Sequence, residues 1–169
     1  YHACKYNEGQ TPASVADFAD SWNAWMDSED RDDYSAAILN PLYRSPPTAV
    51  DMLWVGATSS NESMAAGQSA WRSSDVFNDW PASDCSISML ATQYAVGSPI
   101  PENVMTDEMV VAYWYCNLNE GSTIKEVYTA HSATMQAGAE AGAVQESRII
   151  VPRQGVPAQF AQYDFMVSY

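Results

Sequence analysis

The chain contains one eight-residue motif twice, and this repeat limits the folds that the sequence can adopt. Residues 4–11 read CKYNEGQT and residues 116–123 read CNLNEGST, so Cys, Asn, Glu, Gly and Thr recur 112 residues apart. The same spacing relates two further pairs of valines, namely Val15 with Val127 and Val55 with Val167. Solenoid repeats are about 20–50 residues long, so this longer period indicates a duplicated small domain. We therefore predict two homologous halves joined by a linker.

Turn and capping residues divide the first half into elements in the order β-α-β-β-α-β. A first strand ends at the turn-forming residues 7–9, and Thr11 followed by Pro12 predicts the start of a helix. The remaining predicted elements are a hairpin of strands 35–43 and 50–57 with its turn at 45–48, a second helix from Ser60, and a fourth strand over 86–96. In this order a four-stranded antiparallel sheet carries both helices on one face, which is the ferredoxin-like arrangement.

The sequence thus predicts an α+β fold of tandem ferredoxin-like repeats. The first repeat covers residues 1–96, a Gly- and Pro-containing linker covers 97–108, and the second repeat covers 109–169. The uncovered face of the first sheet has to be buried, and the second repeat would cover it sheet to sheet. The second repeat is incomplete, because Tyr169 corresponds to Ala57 and its second helix and fourth strand are missing. We expect the rest of a longer gene product, or another chain, to complete it.

Composition excludes several classes of partner. The formal charge is −14 and the isoelectric point is about 4.1. Such a surface repels phosphate backbones and anionic lipid, which argues against nucleic acid and membrane surfaces as partners. We also expect no membrane insertion, because no apolar run approaches the roughly 18 residues of a membrane span. A homo-oligomer remains a possible form of the protein.

Part of the first half resembles a known superfamily. Strand 51–56, the polar segment 57–64 and the helix end at 70–74 are similar to the third strand and second helix of the dimeric α/β-barrel superfamily, which includes antibiotic-biosynthesis-type monooxygenases and stress-responsive barrel proteins. The resemblance covers residues 1–96 and part of 109–169. It implies that the two repeats pack as a dimeric α/β barrel within one chain. No catalytic residue carries over, because the Asn-Glu-Gly repeat is not a motif of the superfamily.

The fold implied by this resemblance suggests a disulfide. Its fourth strand lies beside the first, so Cys85 would approach Cys4 closely enough to form one. Cys116 is the counterpart of Cys4, and its own partner would lie in the missing part of the second repeat. A disulfide would place the protein outside the cytosol, in the periplasm or secreted. The alternative is that these cysteines are small buried thiols.

Few residues are candidates for catalysis. Glu8 and Glu120 occupy equivalent strand-to-helix turns and could act as acid or base, although a glutamate at a helix entry also complements the helix dipole. His131 lies on the apolar stripe of a predicted helix, where a core role competes with haem ligation. No Ser-His-Asp arrangement is evident.

We predict neither a metal nor a cofactor. His2 and Cys4 are close in sequence, but no third ligand accompanies them. The acidic loop 27–33 lacks the glycine of an EF-hand and contains Arg31, so a solvated connection is the simpler interpretation.

Aromatic residues indicate a ligand site or a core. The chain has six Trp and ten Tyr, and an apolar pocket cannot be told from a core by composition. The residues that we predict to bind a ligand are Trp22, Trp54, Trp114, Asn7 and Asn119. The predicted function is binding of a small apolar or aromatic molecule, with cofactor-free, monooxygenase-like chemistry as one form of it. The alternative is a non-catalytic structural or assembly protein of an extracytoplasmic complex.

Overall fold

The protein is an α+β structure that forms two compact units. The computed structural model describes residues 1–42, 50–82, 84–98, 109–143 and 146–169, and the units cover residues 1–88 and 89–169. The elements of the first unit are β1 (His2–Lys5), α1 (Pro12–Ser28), β2 (Ser35–Leu39), β3 (Met52–Ala57), α2 (Asn61–Ser73), a 3-10 helix (Asp75–Asp79) and β4 (Asp84–Ser88). Those of the second are β5 (Leu90–Gly97), β6 (Tyr113–Cys116), α3 (Ile124–Glu140), β7 (Glu146–Gln154) and β8 (Phe165–Ser168).

The first unit has the predicted order of elements. Its antiparallel sheet has the strand order β2-β3-β1-β4, so β1 lies between β3 and β4. Thr11 and Ser14 form the capping box that starts α1. Val15 and Phe18 are the buried residues of this helix. Val15 belongs to a core cluster with Cys4 and Met52. The apolar stripe of the helix therefore covers one face of β1 and β3.

The second unit has a sheet of a different order, β5-β7-β8-β6. Thr123 and Glu126 form a capping box at the start of α3, as the sequence predicts. Met135 of α3 is buried against the strands, in a core cluster whose other members are Val96, Ile149, Phe165 and Val167. Helix α3 thus covers one face of this sheet.

Equivalent hydrogen bonds occur where the repeated motif follows the first strand of each unit. The backbone N–H of Asp51 donates to the carbonyl of Cys4 at 2.8 Å, and that of Asp164 donates to the carbonyl of Cys116 at 3.0 Å. Each aspartate also accepts a bond on its carboxylate from the backbone two residues after the cysteine, which is Tyr6 at 3.1 Å and Leu118 at 2.8 Å. Cys4 and Cys116 therefore occupy the same position in their units.

The predicted equivalence of Val55 with Val167 is wrong by one residue. In the first unit His2 opposes Trp54, and in the second Trp114 opposes Val167. Because His2 and Trp114 correspond through the motif, Val167 corresponds to Trp54. The extra residue lies between the motif and the last strand of the second unit, where a loop absorbs it without changing the strand pairing.

The predicted fourth strand, 86–96, is two strands that belong to different sheets. β4 ends at Ser88 and pairs with β1, whereas β5 begins at Leu90 and pairs with β7. The first compact unit accordingly ends before residue 89, not at residue 96 as the sequence suggested. The apolar residues Met89, Leu90 and Ala91 follow Ser88 without a turn-forming residue between them, so the sequence does not show that the partner strand changes here. The predicted turn at 45–48 and most of the predicted linker, 99–108, lie outside the described residues.

The described strands form two separate, open sheets and no closed barrel. β6 is the counterpart of β1, and β1 pairs with β4 along one of its edges. In the described part of the chain β6 pairs with β8 alone, so the equivalent edge of β6 has no partner strand there. The fourth strand of the second sheet is β5, which precedes β6 in sequence and lies at the opposite edge. The second unit is thus not the simple truncation that we predicted.

Candidate functional site

Five of the six tryptophans lie in the first unit, where they contact one another. Neighbouring rings lie 5.2 to 6.1 Å apart between centres, mostly edge to face. The members of this aromatic cluster are Phe18, Trp22, Trp25, Tyr34, Trp54, Trp71, Phe77 and Trp80. Edge-to-face pairs of this kind are favourable packing contacts. The tryptophan rings are half-buried, and the rings of the cluster pack between α1, α2 and β3.

One end of the aromatic cluster borders a surface groove of about 380 Å³. We call it the acidic groove, and its lining residues are Trp22, Asn23, Met26, Asp27, Asp30, Arg31, Asp32 and Tyr34. The rings of Trp22 and Tyr34 lie 5.8 Å apart. The volume lies in the range of small-molecule sites.

The acidic groove combines aromatic rings with an excess of negative charge. Asp27, Asp30 and Asp32 are exposed, whereas Arg31 is half-buried. Arg31 donates from Nη1 to the carbonyl of Ser63 at 3.4 Å, which directs its charge toward α2. Three carboxylates against one guanidinium make the groove a favourable environment for a cation.

The loop that forms one wall of the acidic groove is held to α2 by Asp33. Its carboxylate accepts bonds from the hydroxyls of Ser59 at 2.7 Å and Ser63 at 2.9 Å. The bond from Ser59 and that from Ser63 lower the pKa of Asp33 below its usual value. Asp30 adopts the left-handed backbone conformation, with φ of 54°, which aspartate tolerates better than most residues. The loop therefore has a defined shape.

The structure brings together only some of the tryptophans that the sequence predicted to bind a ligand. Trp22 lines the acidic groove. Trp54 packs 5.2 Å from Trp22 between ring centres and donates from Nε1 to the hydroxyl of Tyr34 at 3.2 Å, so it supports the wall from behind. Trp114 belongs to the second unit, where its side chain is 64% exposed on β6.

The two predicted asparagines lie at turns, not in the acidic groove. Asn7 donates from its side-chain amide to the carbonyl of Trp80 at 3.1 Å, which ties the first motif to the segment before β4. Its counterpart Asn119 is exposed. The carbonyls of the two residues accept equivalent turn bonds at 2.9 Å, from Gln10 and Ser122.

Glu8 and Glu120 are both exposed at the turns that precede α1 and α3. The glycine after each, Gly9 or Gly121, has φ of 78°, a conformation that glycine adopts without steric cost. Neither glutamate lines the acidic groove. The equivalent turns that they occupy explain why the two glutamates recur in both units.

His131 has a structural hydrogen bond. Its Nε2 lies 2.7 Å from the hydroxyl oxygen of Ser147, and that hydroxyl donates to the carbonyl of Ser168 at 2.7 Å. Because the Ser147 proton is committed to Ser168, His131 donates through Nε2–H. Burial lowers the pKa of His131. The chain of bonds joins α3 to β7 and β8, and it leaves Ser147, only 1% exposed, unable to act as a nucleophile.

The other histidine is also engaged. Nδ1 of His2 bonds to the hydroxyl of Ser88 on β4. Burial, the nearby terminal amino group and Arg72 lower the pKa of His2 to about 4. No group of three or more His, Cys, Asp or Glu side chains in the described residues has the arrangement of a metal site.

The predicted disulfide is present between Cys4 and Cys85. The two cysteines lie on β1 and β4, whose residues oppose each other in the sheet. Cys116 is a free thiol, and burial raises its pKa.

Comparison of the chain with protein-family models, with curated protein sequences and with solved structures finds no match. In the described parts of the chain, no helix is both long and apolar enough to cross a membrane.

Sequence reasoning missed most of the acidic groove. We interpreted residues 27–33 as a solvated connection, and Met26 and Tyr34 were not among the predicted site residues. The available signal was an acidic loop between a tryptophan-bearing helix end and an aromatic residue. Such a pattern does not reveal whether the loop folds back over the rings, which depends here on the contact of Asp33 with α2.

Proposed function

We propose that the protein binds a small ligand with an apolar body and a positive charge in the acidic groove. The observation that carries the proposal is the placement of Trp22 and Tyr34 beside Asp27, Asp30 and Asp32. Aromatic faces attract cations through their quadrupole, with tryptophan the most effective. The carboxylates add attraction at the rim, and the rings supply apolar contact.

Binding without chemistry agrees best with the candidate catalytic residues. Glu8 and Glu120 lie in solvent at turns, and neither lines the acidic groove. The Nε2–H of His131 donates to the buried hydroxyl of Ser147. We therefore do not carry the monooxygenase-like chemistry forward.

We also propose that the chain is a tandem ferredoxin-like protein that acts outside the cytosol. The strand order β2-β3-β1-β4 of the first unit supports the ferredoxin-like assignment. The matching order β7-β8-β6 and the repeated bonds of Asp51 and Asp164 support the duplication. The Cys4–Cys85 disulfide supports an oxidising compartment.

A pair of isosteric probes tests the groove. Choline carries a quaternary ammonium, and 3,3-dimethylbutan-1-ol is its neutral analogue of the same shape. We expect choline to bind roughly tenfold more tightly, with shifts of the tryptophan indole N–H resonances in an NMR titration. Equal binding of the two probes, or binding of neither, would remove the support for a cation site.

Charge-matched variants locate the binding. Asp27→Asn with Asp30→Asn removes two groove carboxylates, and asparagine tolerates the left-handed conformation at position 30. Asp17→Asn with Asp20→Asn removes two exposed charges of α1 that do not line the groove. We expect the first pair to weaken choline binding several-fold more than the second. Equal weakening would mean that net charge attracts the probe without a defined site.

A second candidate function is assembly with another protein. It is favoured by the exposed aromatic side chains of Trp114 and Tyr115 on the edge strand β6, because exposed apolar patches and open strand edges both mark interaction sites. Light scattering after size-exclusion chromatography measures whether the chain alone associates. If the protein is monomeric over a wide concentration range, self-association is excluded and assembly would need a different protein as partner.

A further inference from the structure

The first unit shows how the edge of a first strand is covered in this fold. β4 pairs antiparallel with β1, so that Ser88 opposes His2 and Ile87 opposes Ala3. Cys85, near the amino end of β4, is disulfide-bonded to Cys4. With this edge covered, Cys4 is 1% exposed and Ala3 is 8% exposed.

The second unit presents the same edge uncovered. β6 corresponds to β1, since Cys116 accepts from Asp164 the backbone bond that Cys4 accepts from Asp51. Among the described residues, β6 pairs with β8 and nothing pairs with its outer edge. Trp114 is 64% exposed and Tyr115 is 40% exposed, although they correspond to the covered residues of β1. The uncovered edge ends at a free thiol.

We propose that the outer edge of β6 binds an antiparallel strand from a second polypeptide, and that a cysteine at the amino end of this strand forms a disulfide with Cys116. If the partner strand pairs with β6 in the register in which β4 pairs with β1, its sequence pattern can be predicted. An apolar residue two positions after the cysteine, the counterpart of Ile87, would oppose Tyr115. The residue after that, the counterpart of Ser88, would oppose Trp114. Main-chain hydrogen bonds would supply affinity, as in other cases of strand addition.

The 169-residue sequence holds no further cysteine that could bond to Cys116. Its three cysteines are Cys4, Cys85 and Cys116, and the first two are bonded to each other. A second copy of β6 also fits poorly, because Cys116 is the last residue of β6, whereas antiparallel pairing needs a cysteine near the start of the partner strand. The formal charge of −14 favours a partner with basic flanking residues. The occupant that this charge favours is a basic partner chain with a cysteine.

The covalent step is a thiol–disulfide exchange. The Cys116 thiolate attacks the sulfur of a partner cysteine that arrives as a mixed disulfide with a small thiol. The new S–S bond joins the two proteins, the old one breaks, and the small thiol leaves with the electron pair. One disulfide replaces another, so no external oxidant is consumed. Because burial raises the pKa of Cys116, the exchange proceeds faster at pH 8.5 than at pH 7.

A synthetic peptide tests the proposal on the intact chain. It copies residues 82–90, ASDCSISML, with two lysines added at its carboxyl end. A control peptide has the nine residues in reverse order, which moves the cysteine from the fourth position to the sixth and reverses the order of the residues around it. Each is equilibrated with the protein in a glutathione redox buffer at pH 8.5, and intact mass measures peptide adduct against glutathione adduct at Cys116. Peptide mapping verifies that the Cys4–Cys85 bond stays intact.

We expect the matched peptide to form at least about ten times more adduct than the reversed peptide, since strand pairing raises the effective concentration of the thiol. We also expect slowed amide hydrogen exchange over residues 113–116. Equal adduct from both peptides, with no protection of β6, would overturn the proposal. A Cys116-linked homodimer formed without peptide would overturn it in favour of a second copy.

A non-covalent arm separates strand pairing from thiol chemistry. The Cys116→Ser protein is mixed with the matched peptide in which serine replaces cysteine. Protection of residues 113–116 should persist at higher peptide concentration, because the backbone bonds do not require the disulfide. Absence of protection at saturating peptide would show that the edge does not accept a strand, whatever the acidic groove binds.

Discussion

Tyr34 occupies the space next to Gly56, so that a Cβ atom on Gly56 would lie 2.8 Å from Cζ of the Tyr34 ring. The ring cannot withdraw freely, because its hydroxyl accepts from Trp54 Nε1 and its face packs near Trp22. A glycine of β3 thus makes room for the aromatic residue that forms a wall of the acidic groove.

Replacement of this glycine should destabilise the first unit. We expect Gly56→Ala to lower the free energy of unfolding by about 1–3 kcal/mol, the usual cost of overpacking a filled site. Urea denaturation followed by tryptophan fluorescence measures it. Gly138→Ala in α3 is the control, since its added Cβ would come no closer than 3.9 Å to another group and alanine favours a helix. Equal losses in both variants would contradict the role assigned to Tyr34.

Loss of the Ser147 hydroxyl should destabilise the second unit. Ser147→Ala removes the partner of His131 and leaves the Ser168 carbonyl without its side-chain donor. We expect a cost of about 1–3 kcal/mol, typical of unsatisfied buried polar groups. Chemical denaturation measures it, with Thr134→Ala on the exposed side of α3 as the control. A Ser147→Ala variant as stable as the control would show that this chain of bonds contributes little.

The two histidines should make stability depend on pH. Their folded pKa values are lowered, so the unfolded chain binds protons first as the pH falls below about 6.5. The contribution of the two histidines to the free energy of unfolding should therefore be flat above pH 7 and fall between pH 6.5 and 4, by about 1 kcal/mol for the partly exposed His2. Denaturation at a series of pH values measures it, and a His2→Asn, His131→Asn variant should flatten the profile. A profile unchanged in that variant would assign the effect to other groups.

Loss of the disulfide should weaken the first unit. Cys4 and Cys85 are 81 residues apart in sequence, so the bond restricts a long loop of the unfolded chain. We expect a Cys4→Ala, Cys85→Ala variant to lose about 2–5 kcal/mol, measured by denaturation with and without reductant. Cys116→Ser serves as the control, because its thiol is unpaired. A reductant that destabilises the double variant as strongly as the natural chain would exclude the disulfide as the cause.

Several features of the fold could be predicted because they depend on residues near one another in sequence. The motif at Cys4 and Cys116 forms the same turn in both units, and the capping residues Thr11 and Thr123 begin helices. The Cys4–Cys85 bond could be anticipated once the order of elements placed the fourth strand beside the first. For the candidate site, the sequence identified Trp22 but also Trp114, which lies in the other unit.

The sequence by itself determined where helices and turns form and which positions of the two motifs are equivalent, because backbone conformation and capping are local properties. Only the tertiary structure decided that 86–96 divides between two sheets, that β5 pairs with β7, and that the loop after α1 lies over Trp22. Alternating residues favour a strand with any partner of suitable shape. The choice of partner strand depends on contacts between residues far apart in the chain. The acidic groove also depends on such contacts.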